Sequence, residues 1–155
     1  MKWPLVILLF VVASCTETEI DPAKNTTSTP ANSSGKNQNN ARVAGSFFED
    51  FESGTKTAYA AASVTLTTGS WSFSDALIGT STSDRMTGSQ SVRVRNTGSI
   101  SMNFNLTTGA STVNVAHAVY GSDASSTWEL WISTNGGSSY SKVGSTITTS
   151  PSFTT

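Results

Sequence analysis

Residues 128–137 read WELWISTNGG, and this stretch decides the fold class. Apolar side chains at 128, 130 and 132 alternate with the residues between them, and this period of two indicates a β-strand with one buried face. Asn135 and Gly136 follow, and an Asn-Gly pair readily takes the positive φ angles of a type I′ turn. The stretch therefore predicts a β-hairpin whose return strand begins near Tyr140 and Val143.

The same alternation extends back through the chain, and its clearest example is ISMNFNL at residues 100–106. No stretch after residue 45 shows the helical period. Half-polar strands favour antiparallel sheets with one buried face, and two such sheets pack into a β-sandwich. We therefore predict an all-β fold over residues 45–155, with turns at Gly69 and at residues 96–98. The predicted strands centre on residues 47–53, 64–66, 71–73, 92–95, 100–106, 113–119 and 128–133.

The first fourteen residues have the layout of a secretory signal peptide. Lys2 supplies a positive charge, an apolar run covers residues 5–12, and the small residues Ala13 and Ser14 follow. The run is too short to cross a bilayer, which takes about 20 residues. We therefore predict that residues 1–14 are a signal peptide rather than a membrane span.

The end of that segment resembles the lipobox of bacterial lipoproteins. Residues 12–15 read Val-Ala-Ser-Cys: an aliphatic residue, two small residues that suit a narrow peptidase site, and a cysteine whose thiol accepts lipid. Several acyl chains together hold a protein stably on a membrane. We expect cleavage before Cys15, lipidation of that cysteine, and a lipid-anchored protein of the bacterial cell envelope, on an outer-membrane, periplasmic or cell-surface face.

Residues 15–44 continue from the lipidated cysteine as a polar segment. The segment has no aromatic residue and is rich in Ser, Thr and Asn. Such a chain buries too little apolar surface to offset its conformational entropy. We predict a disordered tether between the lipid and the β-domain.

Charge and cysteine content argue against direct nucleic-acid binding and exclude cysteine-based crosslinks and metal sites within the chain. The formal net charge of −1 and the lack of a basic stripe argue against direct nucleic-acid binding, which depends on displacing counterions from phosphates. Cys15 is the only cysteine, so neither an intrachain disulfide nor a cysteine-rich metal site can form.

Five blocks of the β-domain form a recognisable series: FFEDFESG at 47–54, DALIG at 75–79, Asp84-Arg85, GSQSVRVR at 88–95 and WELWISTNGG at 128–137. These blocks resemble a jelly-roll module of secreted bacterial proteins, and the resemblance covers about residues 47–155. In one subgroup this module lies between a lipoprotein signal and a DNA/RNA non-specific endonuclease domain.

The resemblance implies a jelly-roll-like antiparallel β-sandwich that accompanies a C-terminal catalytic domain. Related modules continue with further strands, whereas this sequence ends at Thr155, so we expect a sandwich without its closing strands. The histidine-containing nuclease motif is absent, because Asp84-Arg85 is followed by Met86. No cofactor is expected, and Glu49, Asp50 and Glu52 are interpreted as solvated acids on an edge strand. The alternative is a structural calcium held by these three residues, since jelly-roll families often place one on first-strand carboxylates.

The residues themselves predict no catalytic centre. A hydrolase needs a nucleophile, a base and often a metal in one place. His117 is the only histidine, and it shares a predicted strand face with valines, so we interpret it as a hydrogen-bonded core or edge residue. The serines do not lie in a Gly-x-Ser-x-Gly elbow. We expect the outward-facing Arg93 and Arg95 to be solvated.

Aromatic residues leave a second function open. Trp71, Trp131 and Tyr140 could form a platform for sugar rings, whereas Trp128 shares its face with apolar residues and is expected in the core. The main hypothesis is a non-catalytic accessory module that positions a partner domain. The alternative is a carbohydrate-binding or adhesion module that recognises surface glycans.

Overall fold

The computed structural model describes residues 47–107 and 109–155, together with the backbone of a strand at residues 8–12. The described residues contain strands and turns but no helix. The strands are β1 (Leu8–Val12), β2 (Ala62–Leu66), β3 (Gly69–Gly79), β4 (Ser91–Met102), β5 (Thr127–Ser133) and β6 (Ser141–Thr148).

The six strands form one sheet in the order β2-β3-β4-β1-β5-β6. Antiparallel pairing joins β2 to β3, β3 to β4 and β5 to β6. β1 lies between β4 and β5 and runs parallel to both. The predicted all-β class with antiparallel pairing is confirmed, and closure into a two-sheet jelly roll stays a prediction.

One face of the β2-β3-β4 meander carries the core. Alternate residues of each strand point to this face, and Phe73 at its centre is completely buried. The segments outside the strands cover it with Phe51, Phe104 and Leu106. The alternation seen in the sequence therefore translates directly into burial. The core residues are Val64, Leu66, Trp71, Phe73, Ala76, Ile78, Val94, Ile100 and Met102.

A bulge replaces the turn expected at residues 96–98. β4 continues through these residues, and its pairing with β3 shifts there, so that Ser74 faces Ser99 while Ala76 faces Val94. The extra residues are accommodated by positive φ angles at Asp75 (46°) and Asn96 (53°). The prediction of a turn was wrong because a bulge uses the same residue types to bend a strand without reversing it.

Two predicted strands are extended segments without sheet pairing. Residues 47–53 form a loop in which Phe51 has a φ of 62°, outside the strand region. Residues 113–119 pair only through a bridge between His117 and Thr154. Burial along residues 113–119 nevertheless alternates as the sequence predicted. β4 also ends at Met102, so the strand predicted at 100–106 is correct only in its first half.

The predicted hairpin is present, with a longer connection than a two-residue turn. β5 and β6 pair from Thr127–Thr148 to Ile132–Ser141. Positive φ angles occur at Gly136 (70°) and Gly137 (87°) rather than at Asn135. Asn135 instead organises the loop, because its Oδ1 accepts hydrogen bonds from Ser133 Oγ at 2.9 Å and the Ser139 amide at 3.0 Å.

Candidate ligand-binding surface

The acidic residues predicted to bind calcium act as acceptors for the loop that contains them. Glu49 accepts a hydrogen bond from the Phe51 amide at 2.6 Å and another from the Thr68 hydroxyl. Asp50 accepts from the Glu52 amide at 3.0 Å. These bonds hold residues 49–52 in a tight turn, which explains why the segment leaves the strand conformation.

The Glu52 side chain contacts the segment that precedes β4. It accepts hydrogen bonds from the amides of Ser89 at 3.1 Å and Gln90 at 3.3 Å, and from the Ser89 hydroxyl. The Ser89 hydroxyl and the two amides hold the pKa of Glu52 below its usual value, against a smaller opposing effect of desolvation. Glu52 therefore joins the loop at residues 47–54 to the segment that enters β4.

The described residues contain no group of three or more His, Cys, Asp or Glu side chains placed to hold a metal ion. A shallow depression of about 460 Å³ lies beside the acidic loop and is lined by residues 47–50 together with Thr67 and Thr68. Glu49 and Glu52 are directed at separate partners. The structure therefore does not bring the three predicted calcium ligands to one centre.

Trp71 is part of the core and cannot offer a ring face to a ligand. Its side chain is only 3 % exposed, with the rings of Phe51 and Phe104 packed edge-on at centroid distances of 5.4 and 6.1 Å. The indole Nε1 donates to Thr68 Oγ1 at 3.0 Å. Including Trp71 in a sugar platform was wrong, because surrounding aromatic rings cover the strand face that holds it.

Trp131 lies on the opposite face of the sheet and remains partly exposed. Its Nε1 donates to Glu129 Oε2 at 3.1 Å. Glu129 Oε1 accepts from Lys142 Nζ and from Thr146 Oγ1, each at 2.7 Å. Trp131 and Lys142 are also direct partners across β5 and β6. This polar network restricts the orientation of the indole ring on the surface.

The hydrogen bonds of this network lower the pKa of Glu129. Hydrogen bonds from Lys142 and Thr146, and a weaker one from Trp131, lower the pKa of Glu129 to about 2. The carboxylate is therefore ionised over the whole physiological range.

Tyr140, the third predicted platform residue, lies in the connection between β5 and β6. Its hydroxyl is 3.1 Å from the position that a Cβ on Gly137 would occupy, so Tyr140 lies close to the Gly137 backbone.

Arg93 forms an ion pair that the sequence did not predict. Its Nε and Nη2 donate to the two carboxylate oxygens of Asp84 at 2.8 and 2.6 Å, and its guanidinium carbon lies 4.2 Å from the ring centre of Tyr120. Burial alone would raise the pKa of Asp84, but hydrogen bonds from Arg93 and Ser81 outweigh it and lower that pKa. The pair is structural: it joins the loop after β3 to β4 and to Tyr120.

Arg95 is more exposed than Arg93 but is also paired. Its Nε lies 3.3 Å from Asp75 Oδ1, and its guanidinium carbon lies 3.9 Å from the ring centre of Tyr59. Arg95 is exposed, as the sequence predicted, whereas the prediction was wrong for Arg93, whose side chain is 22 % exposed and paired with Asp84. The structure explains the pairing of Arg93, since the buried carboxylate of Asp84 requires a cationic partner.

His117 and Trp128 form a second buried contact. His117 is 7 % exposed, its ring packs edge-on against Trp128 at 5.2 Å, and the Thr154 hydroxyl lies 3.2 Å from Nε2. Burial lowers the pKa of His117, which favours the neutral imidazole. Both residues were predicted in the core or at its edge, and their burial confirms this.

Three predicted features lie wholly or largely outside the described residues: Cys15, the tether at 15–44, and the signal peptide at 1–14 apart from the backbone of residues 8–12. Among the residues that are described, no helix has the length and apolar character needed to cross a bilayer. A comparison with known proteins finds no matching family model, curated protein or solved structure. The resemblance to endonuclease-associated modules therefore stays a prediction.

Proposed function

We propose that this chain is an exported lipoprotein whose β-domain is a non-catalytic accessory module of the cell envelope. Lipid on Cys15 would hold the chain on a membrane, and residues 15–44 would act as a tether. The β-domain, closed as a jelly-roll-like sandwich, would position a partner such as a C-terminal nuclease domain. One observation supports the non-catalytic role best: most acidic side chains of the described β-domain accept hydrogen bonds or form ion pairs within the protein.

The carboxylates illustrate this use of ionisable groups. A general acid, general base or nucleophile must be able to reach a substrate. Here the acids turn a loop, join two segments, or pair with a cation. Examples of acids with such internal partners are Glu49, Asp50, Glu52, Asp75, Asp84 and Glu129.

The anchor is tested by locating the mature protein and determining its first residue. Expressed in a bacterium with lipoprotein export, the wild-type chain should fractionate with membranes, and mass spectrometry should find diacylglyceryl-modified Cys15 as residue one. In Cys15→Ser, mass spectrometry should find residues 1–14 retained and no diacylglyceryl group, whereas the matched change Thr16→Ser should be cleaved and lipidated like the wild type. An unmodified thiol in a membrane-bound mature chain would contradict the proposal.

The non-catalytic role requires a separate assay. The purified chain should leave single- and double-stranded DNA, RNA and common polysaccharides uncleaved in the presence of Mg²⁺ or Ca²⁺. Turnover that co-purifies with the protein and disappears in His117→Gln would contradict this role. The same preparation fused to an active nuclease provides the positive control for the assay conditions.

Glycan binding is the second candidate, and the fixed orientation of Trp131 favours it. A partly exposed indole whose Nε1 is already bonded to Glu129 presents its ring without further ordering cost, as stacking on a sugar requires. Trp131→Ala should then abolish retention on polysaccharide gels. The control Phe153→Ala, which removes another exposed aromatic residue, should not. Equal retention of the wild type and Trp131→Ala would exclude a platform at this position.

A further inference from the structure

The position of β1 in the sheet has a consequence for the mature protein. β1 pairs with β4 at Ser99, Ile100 and Ser101, and with β5 from Glu129 to Ser133. β4 and β5 do not pair with each other; they belong to one sheet only through β1. Since β1 is parallel to both, β4 and β5 run in the same direction.

β1 also lies within the segment that we propose is removed on export. Residues 8–12 are part of the predicted signal peptide, so cleavage before Cys15 would take β1 out of the sheet. Neighbouring strands lie about 4.8 Å apart, so the gap left between β4 and β5 is about 9.6 Å wide. Backbone groups at residues 99–101 and 129–133 would then lose their partners across this gap, and unpaired strand edges readily accept another strand.

The register of β1 shows which residues of β4 and β5 lie beside each position of an inserted strand. Position 9 of β1 is level with Ile100 and Leu130, and position 11 is level with Ile132. These three residues belong to the core or pack against it. Position 8 is level with Ser99 and Glu129, position 10 with Ser101 and Trp131, and position 12 with Ser133. An inserted strand therefore needs apolar residues at positions 9 and 11, whereas the positions between them are level mainly with polar residues.

We propose that the gap between β4 and β5 is a strand-binding site of the mature protein. Its occupant is an extended segment of a partner chain, added parallel to both strands, with aliphatic residues at the two core-facing positions. The site rests on the proposed removal of residues 1–14, and in the precursor the signal segment itself fills it. Main-chain hydrogen bonds on both sides would supply affinity, and the alternate apolar positions would supply specificity.

The test uses the full chain with Cys15→Ser, so that residues 1–14 are retained, and with a protease recognition sequence inserted between Gly35 and Lys36. After cutting, the N-terminal fragment is held only by non-covalent contacts of β1. A fluorescent peptide of residues 2–14 should replace it, and hydrogen exchange of those amides of residues 129–133 that point toward the gap rather than toward β6 should be slow when the site is filled and fast when it is empty.

Peptide variants distinguish strand insertion from unspecific adhesion. Leu9→Asp with Val11→Asp places charges at the positions level with Ile100, Leu130 and Ile132 and should weaken binding by more than about tenfold, since an unpaired carboxylate beside apolar residues is unfavourable. Leu8→Ser with Val12→Ser changes only positions level with Ser99, Glu129 and Ser133 and should bind within a few-fold of the wild type. A peptide of unrelated sequence with Leu and Val at the two core-facing positions and Ser elsewhere should also bind. A control peptide of the same composition, in which Leu and Val are adjacent, should not bind.

Several outcomes would overturn the site. Equal binding of both variant peptides, or unchanged hydrogen exchange at residues 129–133 after release of the fragment, would mean that β4 and β5 close on each other. Dimerisation of the cut protein in place of peptide binding, seen by light scattering, would assign the gap to a second copy. If mass spectrometry finds residues 1–14 in the exported protein, the proposed function fails, whereas the peptide assay still reports on the gap.

Discussion

Gly79 lies directly against the carboxylate of Asp84, and a Cβ added to Gly79 would lie 2.5 Å from both carboxylate oxygens. Real Cβ atoms do not approach so closely, and Asp84 cannot move away because Arg93 and Ser81 hold it. The absence of a side chain at the end of β3 thus allows the buried ion pair to form. A glycine in a strand interior often marks such a close approach.

Gly79→Ala should therefore destabilise the protein by displacing Asp84 from Arg93. We expect a loss of about 2 kcal/mol or more in the free energy of unfolding, measured by urea denaturation. The same change made in an Asp84→Ala background should cost much less, since the conflicting carboxylate is gone. Equal costs in the two backgrounds would show that the contact with Asp84 is not responsible.

Asp84→Asn tests the ion pair itself with little change of shape. The substitution leaves the Arg93 charge without its partner, and breaking a buried pair costs about 3–5 kcal/mol. The matched control Asp75→Asn breaks the exposed pair with Arg95, whose side chains are 38 % and 52 % exposed, and should cost less than about 1 kcal/mol. Similar losses for the two variants in urea denaturation would contradict the structural role assigned to Asp84.

Gly98 allows the bulge of β4 to approach β3. A Cβ at this position would lie 2.7 Å from the carbonyl oxygens of Ser74 and Asp75, both part of a backbone that cannot rotate away. Gly98→Ala should lower the free energy of unfolding by about 2 kcal/mol. Thr97→Ala, at an exposed neighbouring position, should have little effect. Comparable midpoints for both variants in thermal denaturation would show that the bulge tolerates a side chain.

His117 should make stability depend on pH near neutrality. Burial lowers the pKa of His117 from its ordinary value near 6.5, so the unfolded chain binds a proton that the folded chain does not. The free energy of unfolding should therefore fall as the pH drops below about 6.5 toward the folded pKa. Urea denaturation at pH 7.5 and 5.5 should show the wild type losing stability relative to His117→Gln. Parallel changes in the two proteins would contradict this assignment.

Glu129 should act in a lower pH window. Its pKa of about 2 in the folded state compares with 4.5 for an unperturbed glutamate, so its stabilising contribution is complete above pH 4.5 and disappears as the pH falls to 2. Relative to Glu129→Gln, the wild type should become less stable over that window. NMR titration of the side-chain carboxyl checks the pKa directly, and a midpoint near 4.5 would show that Lys142 and Thr146 do not hold the carboxylate.

The alternation of apolar and polar residues was sufficient to predict several elements of the fold. Alternation identified β2, β3 and β5, placed Trp128 in the core, and showed that His117 lies on the buried side of an extended segment. It failed at Phe51, where hydrogen bonds to Glu49 produce a left-handed turn, and at residues 96–98, where turn-forming residues build a bulge. In both places the alternative conformation depends on neighbours that the local pattern does not reveal.

The candidate site was predicted only in part for the same reason. Trp131 was assigned to the outward face by alternation. Alternation placed Trp71 on the same strand face as Phe73, but it did not show that Phe51 and Phe104, which come from loops, cover the indole ring. The aspartate that pairs with Arg93 was visible in the sequence, but nothing in the pattern showed that the loop after β3 turns it toward β4.

By itself, the sequence determined that the folded part consists of strands and which residues of those strands face the core, because side chains alternate by the geometry of each strand alone. Only the tertiary structure decided the bulge in β4, the pairing of Asp84 with Arg93 and the location of Leu8–Val12 between β4 and β5. These features join residues that are distant along the chain. They arise when segments compete to bury apolar surface and satisfy backbone hydrogen bonds, which no short stretch of sequence specifies.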